Sequence, residues 1–233
     1  TDISILHVDW VNNNLNKKMK DDVRLAKQFC KANGIYGAET YIKGLHGYVL
    51  EILVFRYKTF LNMISNVTKW SDNMLLHFGK NEFSSEQNFP LIIIDPVNPM
   101  RNATASLSKE KFDSFISLCK VFLKNKSLNF FKEKRINKKL FNVIIEIIPL
   151  EGSKDVSGTK VLKVFEYLFY NMQSKGFIVS NKFWEFGNKS FLYFYVKNKV
   201  LPEKIKHYGP PVEFVDDLKN FENKYGKYFI EGN

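Results

Sequence analysis

The sequence predicts an α+β protein. Three observations point there: apolar residues at helical spacing through much of the first 125 positions, an abrupt basic stretch after them, and a strand, helix, strand, strand order beyond it. The expected division is a helical central domain over 1–125, a small α+β region over 126–203 and a C-terminal segment over 204–233.

The first helical signal begins at Asp21 or Asp22, either of which can cap it. Val23, Ala26, Phe29 and Cys30 share one side, and Asn33-Gly34 supplies the stop. At ~100° per residue Lys27 falls beside Val23, on the edge of the apolar side, where its ammonium can lean over a cleft. A second helix is expected from Gly47 through Glu51 and Val54 towards Tyr57, and a third over Phe60 to Val67 with Trp70 close behind. A polar stretch from Ser71 to Asn88 interrupts the pattern. Leu91 to Ile94 then reads as a buried strand running into a loop bracketed by Pro96 and Pro99, and Ser108 caps a further helix through Phe112, Phe115, Leu118 and Phe122.

From Asn125 to Lys139 the text turns basic, which marks a boundary. Phe141 to Ile148 is rich in β-branched residues and closed by Pro149. A loop with Gly152 and Gly158 leads to a helix over Lys160 to Ser174, stopped by Gly176. Phe177 to Phe186 and Phe191 to Val196 flank Gly187-Asn188 as a hairpin, so the helix should cover one face of a small sheet. The tail opens as a rigid turn at His207-Tyr208-Gly209-Pro210-Pro211 and ends as a short helix plus Tyr228-Phe229-Ile230.

With 45% apolar residues, 22 of them Phe, the 233-residue chain can fill real cores. Its 35 Lys and Arg against 24 Asp and Glu leave a net charge of +11, which favours a polyanion as partner, although a lysine-rich composition alone does not require one. Cys30 and Cys119 sit in helical patterns without CxxC spacing and read as buried thiols of a reducing compartment. No apolar run approaches the ~20 residues of a membrane-spanning helix. The expectation is a soluble, cytoplasmic protein with no membrane partner.

Several chemistries find no residues. Metal-assisted nucleotidyl transfer needs paired carboxylates, commonly Asp-x-Asp after Gly-Ser, and the sequence has no acidic-x-acidic pair. Gly152-Ser153 is followed only by Lys154-Asp155. The four histidines at 7, 46, 77 and 207 are scattered, and no Gly-x-Ser-x-Gly, HExxH, GxGxxG or Walker pattern occurs. The chain alone is expected to hold no catalytic set and no metal.

Three segments carry a resemblance: Lys27-Gln28-Phe29-Cys30-Lys31-Ala32-Asn33-Gly34-Ile35-Tyr36-Gly37-Ala38-Glu39, then Gly44-Leu45-His46-Gly47-Tyr48-Val49-Leu50-Glu51-Ile52-Leu53, then Asp95-Pro96-Val97-Asn98-Pro99-Met100-Arg101-Asn102. They resemble the archaeal-type (class I) CCA-adding enzymes, the tRNA nucleotidyltransferases that rebuild the 3′-terminal CCA of tRNA from CTP and ATP. The resemblance implies a helical nucleotidyltransferase central domain, an RRM-like tail and part of a body domain, with tRNA as partner. It also implies a catalytic head expected before Thr1, as a separate subunit or a removed part, which would hold the Mg2+ ions.

Residue by residue, the resemblance gives His7 and Lys27 to the incoming triphosphate, Tyr36 to a phosphate and Arg101 to the base. The chemistry suits them: a lysine brings a mobile point charge, a phenol or imidazole donates a hydrogen bond, and a guanidinium offers a planar fork. The plainer alternatives are a solvated helix lysine, a tyrosine packed at a helix end and an arginine tying down its loop through Asp95. Asn98 and His46 depart from the family's usual aspartate and serine.

For RNA the candidates are Lys126, Lys132, Lys134, Arg135, Lys138 and Lys139, which alternatively form a solvated basic linker. Phe183, Trp184 and Phe186 either stack on bases or fill the sheet core, and no intact RNP1 octapeptide is present. Two functions stay open: the nucleotide-pocket and tRNA-binding portion of a CCA-adding enzyme, or a non-catalytic RNA-binding protein derived from one.

Overall fold

The computed structural model describes residues 3–77, 88–133, 136–198, 200–201, 209–211 and 213–226. Within them, the first unit holds helices α1 (Ile3–Asn14), α2 (Lys17–Ala32), α3 (Gly47–Tyr57), α4 (Phe60–Val67) and α5 (Lys109–Lys124) and a sheet of β1 (Met74–Leu76), β2 (Leu91–Asp95) and β3 (Asn98–Asn102). The sheet order is β1-β2-β3, parallel then antiparallel. A second sheet of β4 (Val143–Ile147), β5 (Val179–Glu185) and β6 (Ser190–Val196) runs in the order β4-β6-β5, fully antiparallel, beside α6 (Lys154–Ser174). Helix α7 (Val215–Tyr225) follows and buries no residue.

Phe29 centres the first core. Its ring meets Phe60, Phe122 and Phe131 with centroids 5.2–5.7 Å apart, mostly tilted or edge-on as ring quadrupoles favour. Phe130 and Phe131 reach this core from a 3₁₀ turn (Leu128–Phe131), whose carbonyls accept from Asn33 and Gln28 at 2.8 Å. Cys30 and Cys119 lie inside the same core, and burial drives both thiols upward from their usual range. In the second core, Leu192, Phe194 and Val196 alternate along β6 to face Val161 and Phe165 of α6. The helix thus covers one sheet face, as the element order implies.

The predicted α3, α4, α5 and the β5–β6 hairpin are present, two helix starts move, one loop becomes a hairpin and one helix is new. Helix α2 starts at Lys17, because Asn16 caps it by accepting from the Met19 amide at 3.0 Å; Asp22 instead accepts from the Phe60 amide, also at 3.0 Å. The Pro96–Pro99 segment enters a hairpin rather than a loop, since Pro99 lies on β3, an edge strand that tolerates a missing donor. Helix α6 starts at Lys154 under a Ser153 cap, which places Gly158 inside the helix. Helix α1 carries no expected pattern and is held by Trp10 and Val11 against the first core.

Gly158 explains how the two units meet. A β-carbon there would lie 2.4 Å from the Tyr41 ring, so only glycine admits that ring against α6. Tyr41 also stands edge-on to Trp184 and Phe186, at 5.9 and 5.3 Å. Beside it, Asp155 accepts from the Thr40 amide at 2.6 Å and from the Thr40 hydroxyl at 2.8 Å. The sequence left Trp184 and Phe186 open between base stacking and core; both pack into the second core and against this loop, while Phe183 points to the other face and stays 41% exposed. His207-Tyr208 and Tyr228-Phe229-Ile230 lie outside the described residues. No helix among those described is long and apolar enough to cross a membrane.

Candidate nucleotide site

The first turn of α3 gathers the site. His46 takes the position just before the helix with extended backbone, but its side chain caps nothing: Nε2 turns away to the Ala103 carbonyl at 2.8 Å. The amides opening α3 therefore lack a side-chain cap and present the positive end of the helix dipole. Gly47 comes next. A β-carbon there would lie 3.1 Å from Lys27 Cε, 3.3 Å from Lys27 Nζ and 3.2 Å from the Tyr36 hydroxyl, so the glycine lets both functional groups close onto the helix end. Tyr36 reaches it because its backbone bridges Leu45, with Gly37 N donating to Leu45 O at 2.9 Å. Lys27 reaches it from α2 and pairs with Glu51, one turn along α3, at 2.8 Å.

On the neighbouring side Asp95 ends β2 with no solvent exposure. One of its oxygens accepts from the Tyr48 hydroxyl and the Val97 amide, each at 3.0 Å. The other accepts from Arg101 Nη1 at 2.9 Å and faces His7 Nε2 at 3.0 Å. A buried carboxylate is tolerable because both oxygens are engaged this fully. His7 Nε2 also lies 3.2 Å from Arg101 Nη1. One nitrogen cannot donate to Asp95 and accept from Arg101 at once. The tautomer with the proton on Nε2 avoids lone-pair repulsion against the carboxylate and fits this geometry. The His7 ring is stacked on Tyr48, centroids 3.7 Å apart.

Arg101 stays 38% exposed and lines an open cleft of about 600 Å3 together with His46, Phe89, Asn98 and Met100. Burial lowers the His46 pKa, the Ala103 hydrogen bond opposes this, and the charge of Arg101 lowers it further, so the imidazole is neutral at pH 7. Tyr48 is pushed the other way, by burial and by Asp95.

The structure therefore brings His7 and Arg101 together through Asp95, and Lys27 and Tyr36 together at Gly47, with residues of the α3 first turn between the pairs. Only Arg101 of the four lines the 600 Å3 cleft. The arginine's tie to Asp95, the plainer sequence alternative, is real and leaves part of the fork open. Glu51 and Tyr48 carried no separate signal: a glutamate and a tyrosine on an apolar helix read as ordinary until their partners arrive from α2, α1 and β2. The basic candidates stand apart from this site. Lys126, Lys132, Lys138 and Lys139 are all exposed, and Lys138 lies 5.1 Å over the Phe191 ring on the second sheet. Lys134 and Arg135 lie outside the described residues. Among the described residues no three His, Cys, Asp or Glu side chains gather as ligands for a metal.

The helical unit is similar to a known family: residues 21–132 match the one described as tRNA nucleotidyltransferase, second domain. The likeness extends further along the chain. A CCA-adding enzyme of Nanoarchaeum equitans is 34% identical over 243 aligned residues, taking in 99% of this chain and 59% of the relative. One from Methanothermobacter thermautotrophicus is 27% identical, over 99% of this chain and 54% of the relative. One from Archaeoglobus fulgidus is 38% identical over 128 residues, 55% of this chain and 29% of the relative. The chain spans a little over half the length of the first two relatives.

Proposed function

We propose that this chain is the nucleotide-pocket and tRNA-binding portion of a CCA tRNA nucleotidyltransferase, which extends tRNA 3′ ends with CTP and ATP. The observation that carries the proposal is the convergence of Lys27 and Tyr36 on Gly47 at the uncapped start of α3, with the Asp95-held His7 and Arg101 alongside. A triphosphate suits the first pair, since an ammonium, a phenol and backbone amides at a helix start all favour phosphate oxygens. A nucleobase edge suits the part of the Arg101 fork that Asp95 leaves open, within the adjoining cleft.

The reaction further requires divalent metal, and the described residues do not fit that need. The Mg2+ ions and paired carboxylates belong, in this proposal, to a head domain acting with the chain, and the site of action is the cytoplasm. The RRM-like reading of the second unit rests on its strand, helix, strand, strand order under one helix.

The test is radiolabelled CMP and AMP incorporation into tRNA lacking CCA, with this chain alone and with a head domain from a relative. Incorporation is expected only in the presence of the head, and Arg101→Ala should impair the choice of nucleotide more than tRNA affinity. Activity of the 233-residue chain alone would refute the assignment of the metals. Tight assembly with the head but no incorporation would favour a non-catalytic RNA-binding role.

A further inference from the structure

The loop that brings Tyr36 to the helix end continues through Thr40 and Tyr41 onto the second unit. It leaves an open cleft of about 380 Å3, distinct from the one that Arg101 lines. Its walls include Tyr36, Tyr41 and Lys111 from the first unit and Lys154, Trp184 and Phe186 from the second. Two ammonium groups line it, and a third, that of Lys31, lies over one of its rings. Lys111 donates to the Gly34 carbonyl at 2.9 Å, which fixes the side chain without neutralising it. Lys154 is exposed on the first turn of α6, and the carboxylate beside it, Asp155, is engaged by Thr40. Lys31 Nζ lies 4.9 Å over the Tyr36 ring. Among the described residues none of the three meets a carboxylate. In the nucleotide site the reverse holds, for Lys27 and Arg101 each have one.

Uncompensated ammonium groups beside aromatic rings suit a ligand that combines regular negative charge with planar groups, as a single RNA strand does. We propose that this cleft binds phosphodiesters of an RNA strand, with Lys111 and Lys154 contacting the backbone, and that Tyr36 places the strand beside the incoming nucleotide. The proposal rests on the functional reading above for the identity of the RNA as tRNA. Lys154 and Lys111 come from different units, so the site exists only while Thr40 and Tyr41 hold those units together.

The experiment is fluorescence anisotropy of labelled tRNA with the 233-residue chain and its Lys111→Glu/Lys154→Glu variant across a salt series, with CTP binding measured in parallel. The variant is expected to bind tRNA about tenfold or more weakly near 0.1 M salt, with the log–log salt slope reduced by about two and CTP affinity unchanged. A Lys154→Gln variant, which disturbs no contact in the structure, should lower the slope by about one and covers the case in which the double variant fails to fold. Unchanged affinity and slope in the folded variants would overturn the cleft assignment alone. Inorganic tripolyphosphate competing as well as tRNA, phosphate for phosphate, would overturn it in favour of a simple polyanion site. Wild-type chain that binds no tRNA would overturn the functional reading and the cleft together.

Discussion

Asp95 closes on Arg101 at 2.9 Å through an oxygen that also faces His7 at 3.0 Å, while its other oxygen takes the Tyr48 hydroxyl. One buried carboxylate thereby joins two residues 94 positions apart. The guanidinium loses rotational freedom before any ligand arrives, which is what the proposed contact with a nucleobase would require.

Asp95→Asn tests that arrangement. The amide keeps an acceptor for Tyr48 and Val97 but removes the charge facing Arg101. The expected loss is about 1.5–3 kcal/mol, the scale of a hydrogen bond to a charged group, seen as a lower urea midpoint at unchanged slope. CTP affinity should fall as well, because Arg101 is no longer held. A variant matching wild type in both measurements would show that Arg101 needs no anchor.

Glu51→Gln addresses the other cation. Lys27 now spends its ammonium on Glu51 at 2.8 Å, a contact that a triphosphate must share or replace. Glutamine retains an acceptor and removes the competing charge, so CTP should bind roughly three- to tenfold tighter by calorimetry, equivalent to about 1 kcal/mol. Stability should change by less than about 1 kcal/mol, since the pair is partly solvated. Weaker binding would identify Glu51 as the residue that aims Lys27.

His46 predicts a pH dependence. Burial lowers its pKa from the ordinary 6.5, so the unfolded chain takes up this proton before the folded one does. Stability from the neutral, Ala103-bonded imidazole is fully present above about pH 6.5 and declines as pH falls towards the folded pKa, where the loss levels off. His46→Gln keeps a donor for the Ala103 carbonyl and removes the titration. The difference in urea midpoint between wild type and variant should be flat from pH 7 to 8 and drift against wild type below 6.5. A constant difference down to pH 5 would mean that His46 charges freely in the folded state.

Much of this architecture was legible in the residues. The 3.6-residue rhythm of α3 to α5, the Ser108 cap and the alternation along β6 reflect local backbone chemistry, and they place the second unit's helix over its sheet. Lys27, Tyr36 and Arg101 became candidates through the segments that resemble the CCA-adding enzymes, and His7 through Ile5-Leu6-His7-Val8. Helix α1 and strand β1 were not. Three apolar residues inside a polar stretch become a strand only when a neighbour offers a parallel edge, as β2 does for Met74–Leu76, and α1 is held by what Trp10 and Val11 touch.

The sequence alone determined the types of most elements and the basic charge, because these depend on side-chain chemistry at short range, and it nominated the four candidate residues through resemblance. Only the tertiary structure decided that Asp95 and Glu51 partner the cations, that Gly47 admits Lys27 and Tyr36, and that Gly158 seats Tyr41 between the units. Those outcomes depend on distances between segments tens of residues apart, set by how the cores pack and invisible to any local pattern.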